Sequence, residues 1–274
     1  MTLEFRRFVA WLVHANLIVA TAALGVGLTS AAVVRLPVEP LPLGFVFLAT
    51  WFGYTANRFT DRVEDQTNLP DRARFIDRYG RPLLGIAAVG YLGALVLVVR
   101  WEPWMVPLAL IPVVVVGIYA TPAATRYFAV KNGLVGLVWA AIPIGLGVYY
   151  GALSTPTLWI VGLAIFLLIS AAAGVFDIKD IEGDRAVGSL TVPVLVGPNR
   201  TKQLAVLGVV LVLPLSLWGA SVYDDRLLIL LVYVGYLTLV IPFASVDRGP
   251  IYFGMVIDGE HILVAAVASL VWLF

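Results

Sequence analysis

Long apolar segments are the feature that most constrains the fold of this 274-residue chain. A helix needs about 20 mostly apolar residues to cross the hydrocarbon core of a bilayer. Nine windows of about that length are present: 8–34, 41–57, 83–99, 104–120, 133–153, 157–176, 203–222, 227–246 and 251–273. Barrel strands are excluded, because the apolar residues do not alternate with period two and the windows are about twice the length of such strands.

The sequence therefore predicts an all-α polytopic membrane protein, with nine transmembrane helices in a single domain that covers 1–274. Its composition agrees, since 61% of the residues are hydrophobic and only 13% are charged. Soluble domains carry about 25% charged residues, so a soluble globule is excluded. The net charge of +1 argues against nucleic-acid binding, and the absence of Cys excludes disulfide chemistry.

The connections between the predicted spans differ on the two sides of the membrane. Those at about 58–82, 121–132 and 177–202 are long and polar. With the N-terminus and the turn near 248, that side carries fifteen of the 18 Lys and Arg residues, which leaves three for the other side: Arg35, Arg100 and Arg226. Because positive loops stay in the cytoplasm, we expect the N-terminus and the long connections inside and the C-terminus outside.

Two acidic motifs lie on the predicted cytoplasmic side, at the ends of the second and sixth spans. Seven of the chain's 17 acids fall within these two short stretches. Helical spacing places three polar side chains on one stripe in each motif: Asn57, Asp61 and Asp65 in the first, and Asp177, Asp180 and Asp184 in the second. Oxygen ligands of this kind suit Mg²⁺, which commonly binds a few carboxylates together with phosphate oxygens. The sequence therefore predicts a diphosphate held between the stripes through Mg²⁺.

With these motifs, the chain resembles the UbiA superfamily of intramembrane prenyltransferases. The second motif, with Arg185, Gly188 and the run Leu190–Gly197 after it, is similar to the DxxDxEGDR and TLPVxxG patterns of that family. The run from Tyr127 to Asn132 is similar to its YxxxK element. One departure is Arg58, where the family often has an acid; it removes a possible ligand and places a cation beside the diphosphate.

The resemblance implies the UbiA-type fold around a central cavity and transfer of an isoprenyl group from a polyprenyl diphosphate to a lipophilic acceptor. It also implies two Mg²⁺ ions, held by Asn57, Asp61, Asp65, Asp177, Asp180 and Asp184. The expected catalytic residues are Asp61, Asp180, Tyr127 and Lys131. The expected substrate-binding residues are Arg58, Arg72, Arg74, Arg126, Lys131, Asn132, Lys179, Arg185 and Asn16.

Several alternatives stay open at this point. The acceptor is an aromatic or quinone precursor, an archaeal glycerophosphate lipid or a carotenoid. A terpene cyclase on the same scaffold would need no acceptor, whereas a cation-coupled transporter would place its acids near the bilayer midplane. The stretch 71–79, with apolar Phe75 and Ile76 among charges, predicts a short amphipathic cap that shields the site from water.

Overall fold

A computed structural model describes residues 3–60, 69–119, 121, 128–249 and 251–272. Regular secondary structure within these ranges is helical throughout. The first half contains six α-helices: α1 (Leu3–His14), α2 (Leu17–Val34), α3 (Pro40–Thr60), α4 (Pro70–Trp101), α5 (Ile111–Tyr119) and α6 (Phe128–Tyr149). A 3-10 turn (Pro103–Met105) and a four-residue helix (Val106–Ala109) connect α4 to α5.

The second half begins with α7 (Pro156–Phe176), which leads into the 3-10 turn Asp177–Asp180. Five more α-helices follow: α8 (Ile181–Val187), α9 (Val192–Val196), α10 (Pro198–Val210), α11 (Val212–Val222) and α12 (Leu230–Val240). Shorter 3-10 segments flank α12 at Asp225–Ile229 and Ile241–Phe243. The last span starts as a π-helix (Tyr252–Ile257) and continues as α13 (Glu260–Trp272).

The prediction of an all-α membrane protein is confirmed. Seven helical segments in the described ranges are long and apolar enough to cross a bilayer: Leu17–Val34, Pro70–Trp101, Val130–Tyr149, Pro156–Ala186, Pro198–Val222, Asp225–Phe243 and Tyr252–Trp272. A shorter apolar segment covers Pro103–Tyr119. The exact count of nine spans is not confirmed.

The first predicted span, 8–34, is two helices rather than one. Asn16 has a left-handed backbone (φ 58°) between α1 and α2, a conformation that Asn tolerates better than most residues. Side chains of α3 support the break, because Trp51 Nε1 donates to the Ala15 carbonyl at 2.8 Å and Thr55 Oγ1 accepts from Asn16 Nδ2 at 3.3 Å. The backbone group freed at the break is thus paired inside the bundle.

The fourth predicted span, 104–120, is interrupted for a different reason. Pro103 lies directly before it and Pro107 and Pro112 lie within it, and each proline lacks the N–H that an α-helix uses. The segment consequently splits into a 3-10 turn, a short helix and α5. Tyr91 of α4 contacts the middle of this segment, where the Tyr91 hydroxyl donates to the Ala109 carbonyl at 2.6 Å.

The stretch 71–79, predicted as a short separate cap, forms the first turns of the 32-residue helix α4. Its apolar side chains explain this continuity. The Phe75 ring packs against Trp11 and His14 of α1, with centroid distances of 6.2 and 5.5 Å. Because the stretch packs on α1 in this way, it stays helical and continues directly into the third predicted span.

Helix α2 lies at the centre of the bundle and packs most closely on α13 and α3. Most of its residues are buried, and many are Ala or Gly. At Gly25 the approach to α13 is so close that a Cβ would lie 2.5 Å from the His261 carbonyl oxygen. Small residues at such contacts allow helix backbones in membranes to pack tightly.

We predict that Gly25→Ala destabilises the protein by about 1–3 kcal/mol, the usual cost of overpacking a tight core. The obstacle is backbone, which cannot move aside as a flexible side chain can. Gly85→Ala in α4 is the matched control, because a Cβ there meets nothing within 4 Å. Thermal unfolding in detergent should show a loss for Gly25→Ala only, and an unchanged midpoint for that variant would contradict the packing.

Candidate active site

A cavity of about 630 Å³ lies inside the helix bundle. Its walls come from α2, α3, α5, α6, α7 and the π-helix, and most of them are apolar. Representative apolar lining residues are Phe45, Ala49, Val116, Ile142 and Ile169. One end of the cavity is lined instead by acidic, basic and amide side chains from both sequence motifs. A single cavity thus joins a charged end to a long apolar interior.

The second motif lies at the charged end. Helix α7 stops being α-helical at Phe176, and the 3-10 turn Asp177–Asp180 carries the chain into α8. Asp177, Asp180 and Asp184 all line the cavity. Their spacing of three and four residues therefore places the carboxylates together even though the segment is not one continuous α-helix.

Each of these carboxylates has a partner. Lys131 Nζ lies 2.8 Å from Asp177 Oδ1, and Lys179 forms an ion pair with Asp180. The Thr191 hydroxyl donates to Asp184 Oδ2 at 2.9 Å. Two lysines thus offset part of the charge that three aspartates bring into a largely apolar surrounding.

Asn132 is a second hydrogen-bond partner of Asp177. With its amide oriented to suit both neighbours, the nitrogen donates to Asp177 Oδ2 at 3.3 Å and the oxygen accepts from the Gly174 N–H at the same distance. Asn132 is buried and lines the cavity. The YxxxK element of the sequence therefore contributes two adjacent residues, Lys131 and Asn132, to one carboxylate.

The first motif reaches the same cavity from α3. Asn57 and Arg58, in the last turns of that helix, both line the charged end. Arg58 Nε donates to Asn16 Oδ1 at 3.3 Å, so the helix break that ends α1 also holds the guanidinium. The other residues of this motif, Asp61 and Asp65, lie outside the described residues, as do Arg126 and Tyr127 before α6.

The other predicted substrate-binding residues divide into two groups. Arg72, in the first turn of α4, lines the cavity together with Lys179. Arg74 is exposed and forms an ion pair with Asp71, and Arg185 is also exposed; neither of these two arginines lines the cavity. Their phosphate contacts stay a prediction.

The donor set at the charged end fits a hard divalent cation. Asp180 Oδ1 is buried and has no hydrogen-bond partner, an arrangement that a cation would relieve. Within the described ranges no three His, Cys, Asp or Glu side chains form a closed metal site. Mg²⁺ does not need one, because it keeps water and phosphate oxygens among its ligands.

Two cavity residues that the sequence pattern does not single out are Tyr54 and Trp139. The Trp139 indole N–H donates to the Tyr54 hydroxyl at 3.0 Å, which links α6 to α3 across the cavity wall. A signal was present in the spacing, since Tyr54 lies three residues before Asn57 and Trp139 lies eight residues after Lys131. Both positions are thus on the helix faces that carry the site residues.

Comparison with known proteins shows that residues 17–250 match the UbiA prenyltransferase family. The digeranylgeranylglyceryl phosphate synthase of Thermococcus kodakarensis is 29% identical over 219 residues, which is 76% of each chain. The diterpene cyclase eriG of Hericium erinaceus is 24% identical over 198 residues, 68% of this chain and 62% of that one.

The fold is also that of a solved UbiA homologue from Archaeoglobus fulgidus. The two structures superpose with a TM-score of 0.66 over 97% of this chain and 96% of the other, at 17% sequence identity. That homologue was solved with GPP and Mg²⁺ bound. At this level of identity the likeness establishes the fold.

We predict that Lys131 and Asp177 stabilise the protein as a pair. Only 26% of the Lys131 side chain and 4% of the Asp177 side chain are exposed, so removing one partner leaves a charge in a poorly hydrated position. Lys131→Met should cost about 3 kcal/mol of unfolding free energy. A double-mutant cycle with Asp177→Asn should give a coupling of about 1–3 kcal/mol.

The control for this cycle is the pair Arg74 and Asp71, in which both side chains are 78% exposed. Exposed pairs contribute at most about 1 kcal/mol, so the matching cycle should give a coupling near zero. Unfolding in detergent without added metal measures both cycles. Equal couplings in the two cycles would contradict the buried pair.

Proposed function

This chain belongs to the UbiA prenyltransferase family, and we propose that it transfers an isoprenyl chain from a polyprenyl diphosphate to a lipophilic acceptor with Mg²⁺ as cofactor. It is an integral, multi-pass membrane protein and a transferase of prenyl groups. One observation carries the proposal: a single cavity has aspartates and lysines at one end and an apolar interior behind them. Such a cavity suits an anionic head group on a hydrocarbon chain.

The head group would lie at the charged end of the cavity. Lys131, Lys179 and Arg72 line this end and present cationic donors to phosphate oxygens. Arg58, held by Asn16, adds a guanidinium beside them, whereas Arg74 and Arg185 would need to move to reach the site. Cations placed around a diphosphate stabilise the negative charge that develops on it as the allylic C–O bond breaks.

The proposed Mg²⁺ ligands are Asn57, Asp177, Asp180 and Asp184, with Asp61 and Asp65 beyond the described residues. These residues would hold two Mg²⁺ ions, which would supply Lewis-acid stabilisation of the leaving diphosphate. Lys131 and Lys179 now pair with the carboxylates that would bind metal. We infer that, with metal bound to the aspartates, these lysines would be free to contact the diphosphate.

The apolar interior would hold the isoprenyl chain. Helices α3, α5 and α6 line this part with aliphatic and aromatic residues such as Phe45, Val116 and Leu146. An apolar surrounding limits the water that can reach the allylic carbon, so the chain is passed to the acceptor rather than to water. Tyr127 is proposed as a catalytic residue because it belongs to the YxxxK element.

We further propose that the acceptor is a hydroxyl group of a prenylated glyceryl phosphate. Support comes from the relatives named digeranylgeranylglyceryl phosphate synthase, one of which matches 76% of this chain. Such an acceptor carries an apolar chain and an anionic head, both of which suit the cavity. Following the distribution of Lys and Arg, we place the charged end and the N-terminus at the cytoplasmic face of one transmembrane domain.

A terpene cyclase is the second candidate, and the similarity to the Hericium cyclase favours keeping it. A cyclase would use the same aspartates and Mg²⁺ to release diphosphate. The allylic cation would then be captured by a double bond of its own chain. The two functions differ in one observable respect, because only the transferase requires a second substrate.

The test uses the purified full-length protein in detergent with Mg²⁺ and labelled geranylgeranyl diphosphate. Geranylgeranylglyceryl phosphate, a hydroxybenzoate, a quinol precursor and a carotenoid are supplied one at a time, and one reaction has no acceptor. We expect a diether from the glyceryl phosphate and no product without Mg²⁺. A cyclic hydrocarbon without acceptor would favour the cyclase, and no product under any condition would contradict both.

The mutational arm of this test compares two acids of the second motif. Asp180 lines the cavity, whereas Glu182 is exposed and does not line it. We expect Asp180→Asn to lower transfer by about 100-fold or more, as loss of a group that stabilises transition-state charge does. Glu182→Gln should keep the wild-type rate, and equal losses in both variants would contradict the assignment.

A further inference from the structure

Asp258 is an acid in the cavity that belongs to neither aspartate motif. It follows the π-helix Tyr252–Ile257, and its N–H donates to the Phe253 carbonyl, five residues back, at 3.2 Å. π-helical turns are rare and often occur at functional sites. Gly259 permits the turn, because a Cβ at this position would lie 2.0 Å from the Met255 carbonyl oxygen.

The carboxylates that line the cavity differ in their partners. Among the described residues, the three of the second motif pair with Lys131, Lys179 and Thr191. Glu102, at the opposite end of α4 from the motifs, accepts from the Trp104 indole at 2.9 Å. Within the described residues, no group donates a hydrogen bond to the Asp258 carboxylate. Its oxygens are therefore available to a molecule in the cavity.

Two cations lie near Asp258 without forming a salt bridge to it. They are Arg58, fixed by Asn16, and Lys179, which sits 5.8 Å from the centre of the Phe253 ring. Both also line the charged end, where the diphosphate would bind. Asp258 thus lines the cavity beside groups that would hold the leaving group.

Transfer of a prenyl group to a hydroxyl releases a proton, and a base near the acceptor oxygen must take it. The aspartates of the second motif are engaged by lysines, by Thr191 and, under the proposed function, by metal. The Asp258 carboxylate has no such engagement among the described residues. It is the acid best placed to act as a base rather than as a ligand.

We propose that Asp258 is the general base of the transfer, an inference that rests on the proposed function. The acceptor hydroxyl gives its proton to an Asp258 oxygen while the hydroxyl oxygen bonds to C1 of the prenyl chain. The bond from C1 to the diphosphate oxygen breaks, and the diphosphate leaves with the electron pair. The products are the prenyl ether, the diphosphate and a protonated Asp258, which returns its proton to water.

The test compares Asp258→Asn with Glu260→Gln. Glu260 is a buried acid two residues further on that contacts His261, with 3.4 Å between Oε1 and Nε2, and does not line the cavity. Loss of a general base typically costs 10²- to 10⁴-fold in rate, so we expect Asp258→Asn to slow transfer by about 100-fold or more. Asp258→Glu should recover part of the rate, and Glu260→Gln should keep it.

The pH dependence separates a base from a structural charge. The titratable or charged groups that face Asp258 are Tyr54, Arg58, Lys179 and Glu260. The rate of wild-type transfer should fall as the pH is lowered and Asp258 becomes protonated. Asp258→Asn should not show this decrease at low pH.

Binding of geranylgeranyl diphosphate, measured by calorimetry, should be retained in Asp258→Asn, since the base acts on the acceptor.

The outcomes distinguish this inference from the proposed function. If the wild type forms ether and Asp258→Asn is as fast, or loses rate at low pH in the same way, the base role of Asp258 is contradicted. The proposed transferase function is then unaffected. If Asp258→Asn loses diphosphate binding along with transfer, the base role is overturned and Asp258 serves the leaving-group site instead. If the wild type forms no ether with any acceptor, the proposed function itself fails.

Discussion

The structure depends on pairing the acidic side chains beside an apolar cavity with cationic side chains that offset their charge. The pair formed by Lys131 and Asp177 does this most clearly, because both side chains are largely removed from water. Buried charges are costly unless they are paired, and the lysines meet that cost for the second motif. The same lysines lie where a diphosphate would bind. The lysines that offset the buried carboxylates thus also place positive charge where an anionic ligand would bind.

Irregular backbone forms part of the wall of this cavity. The left-handed Asn16, the proline-rich connection to α5, the 3-10 turn at Asp177 and the π-helix before Asp258 all contribute lining residues. Backbone that departs from the α-helix is tolerated at membrane depth only where it is buried in protein or lines a cavity. These four interruptions therefore border the site.

The sequence was informative where a pattern has one physical explanation. Apolar windows of bilayer length predict spans, and clustered aspartates in a charge-poor chain predict an acidic site, so the class of fold and the position of Asp177, Asp180 and Asp184 could be derived. The break at Asn16 could not, because it depends on Trp51 and Thr55 of α3, which are distant in sequence. The sequence also does not show that Arg72 lines the cavity whereas Arg74 is exposed, because both arginines lie in the same basic stretch.

The proposed function requires the charged end of the cavity to bind a polyprenyl diphosphate through Mg²⁺. The most direct measurement is calorimetric titration of the purified protein with geranylgeranyl diphosphate in the presence of Mg²⁺ and in its absence. Mg²⁺ should strengthen binding by about tenfold or more, equal to about 1.4 kcal/mol. The gain should be lost in Asp177→Asn. The same affinity with and without Mg²⁺, or a full gain in that variant, would contradict the account.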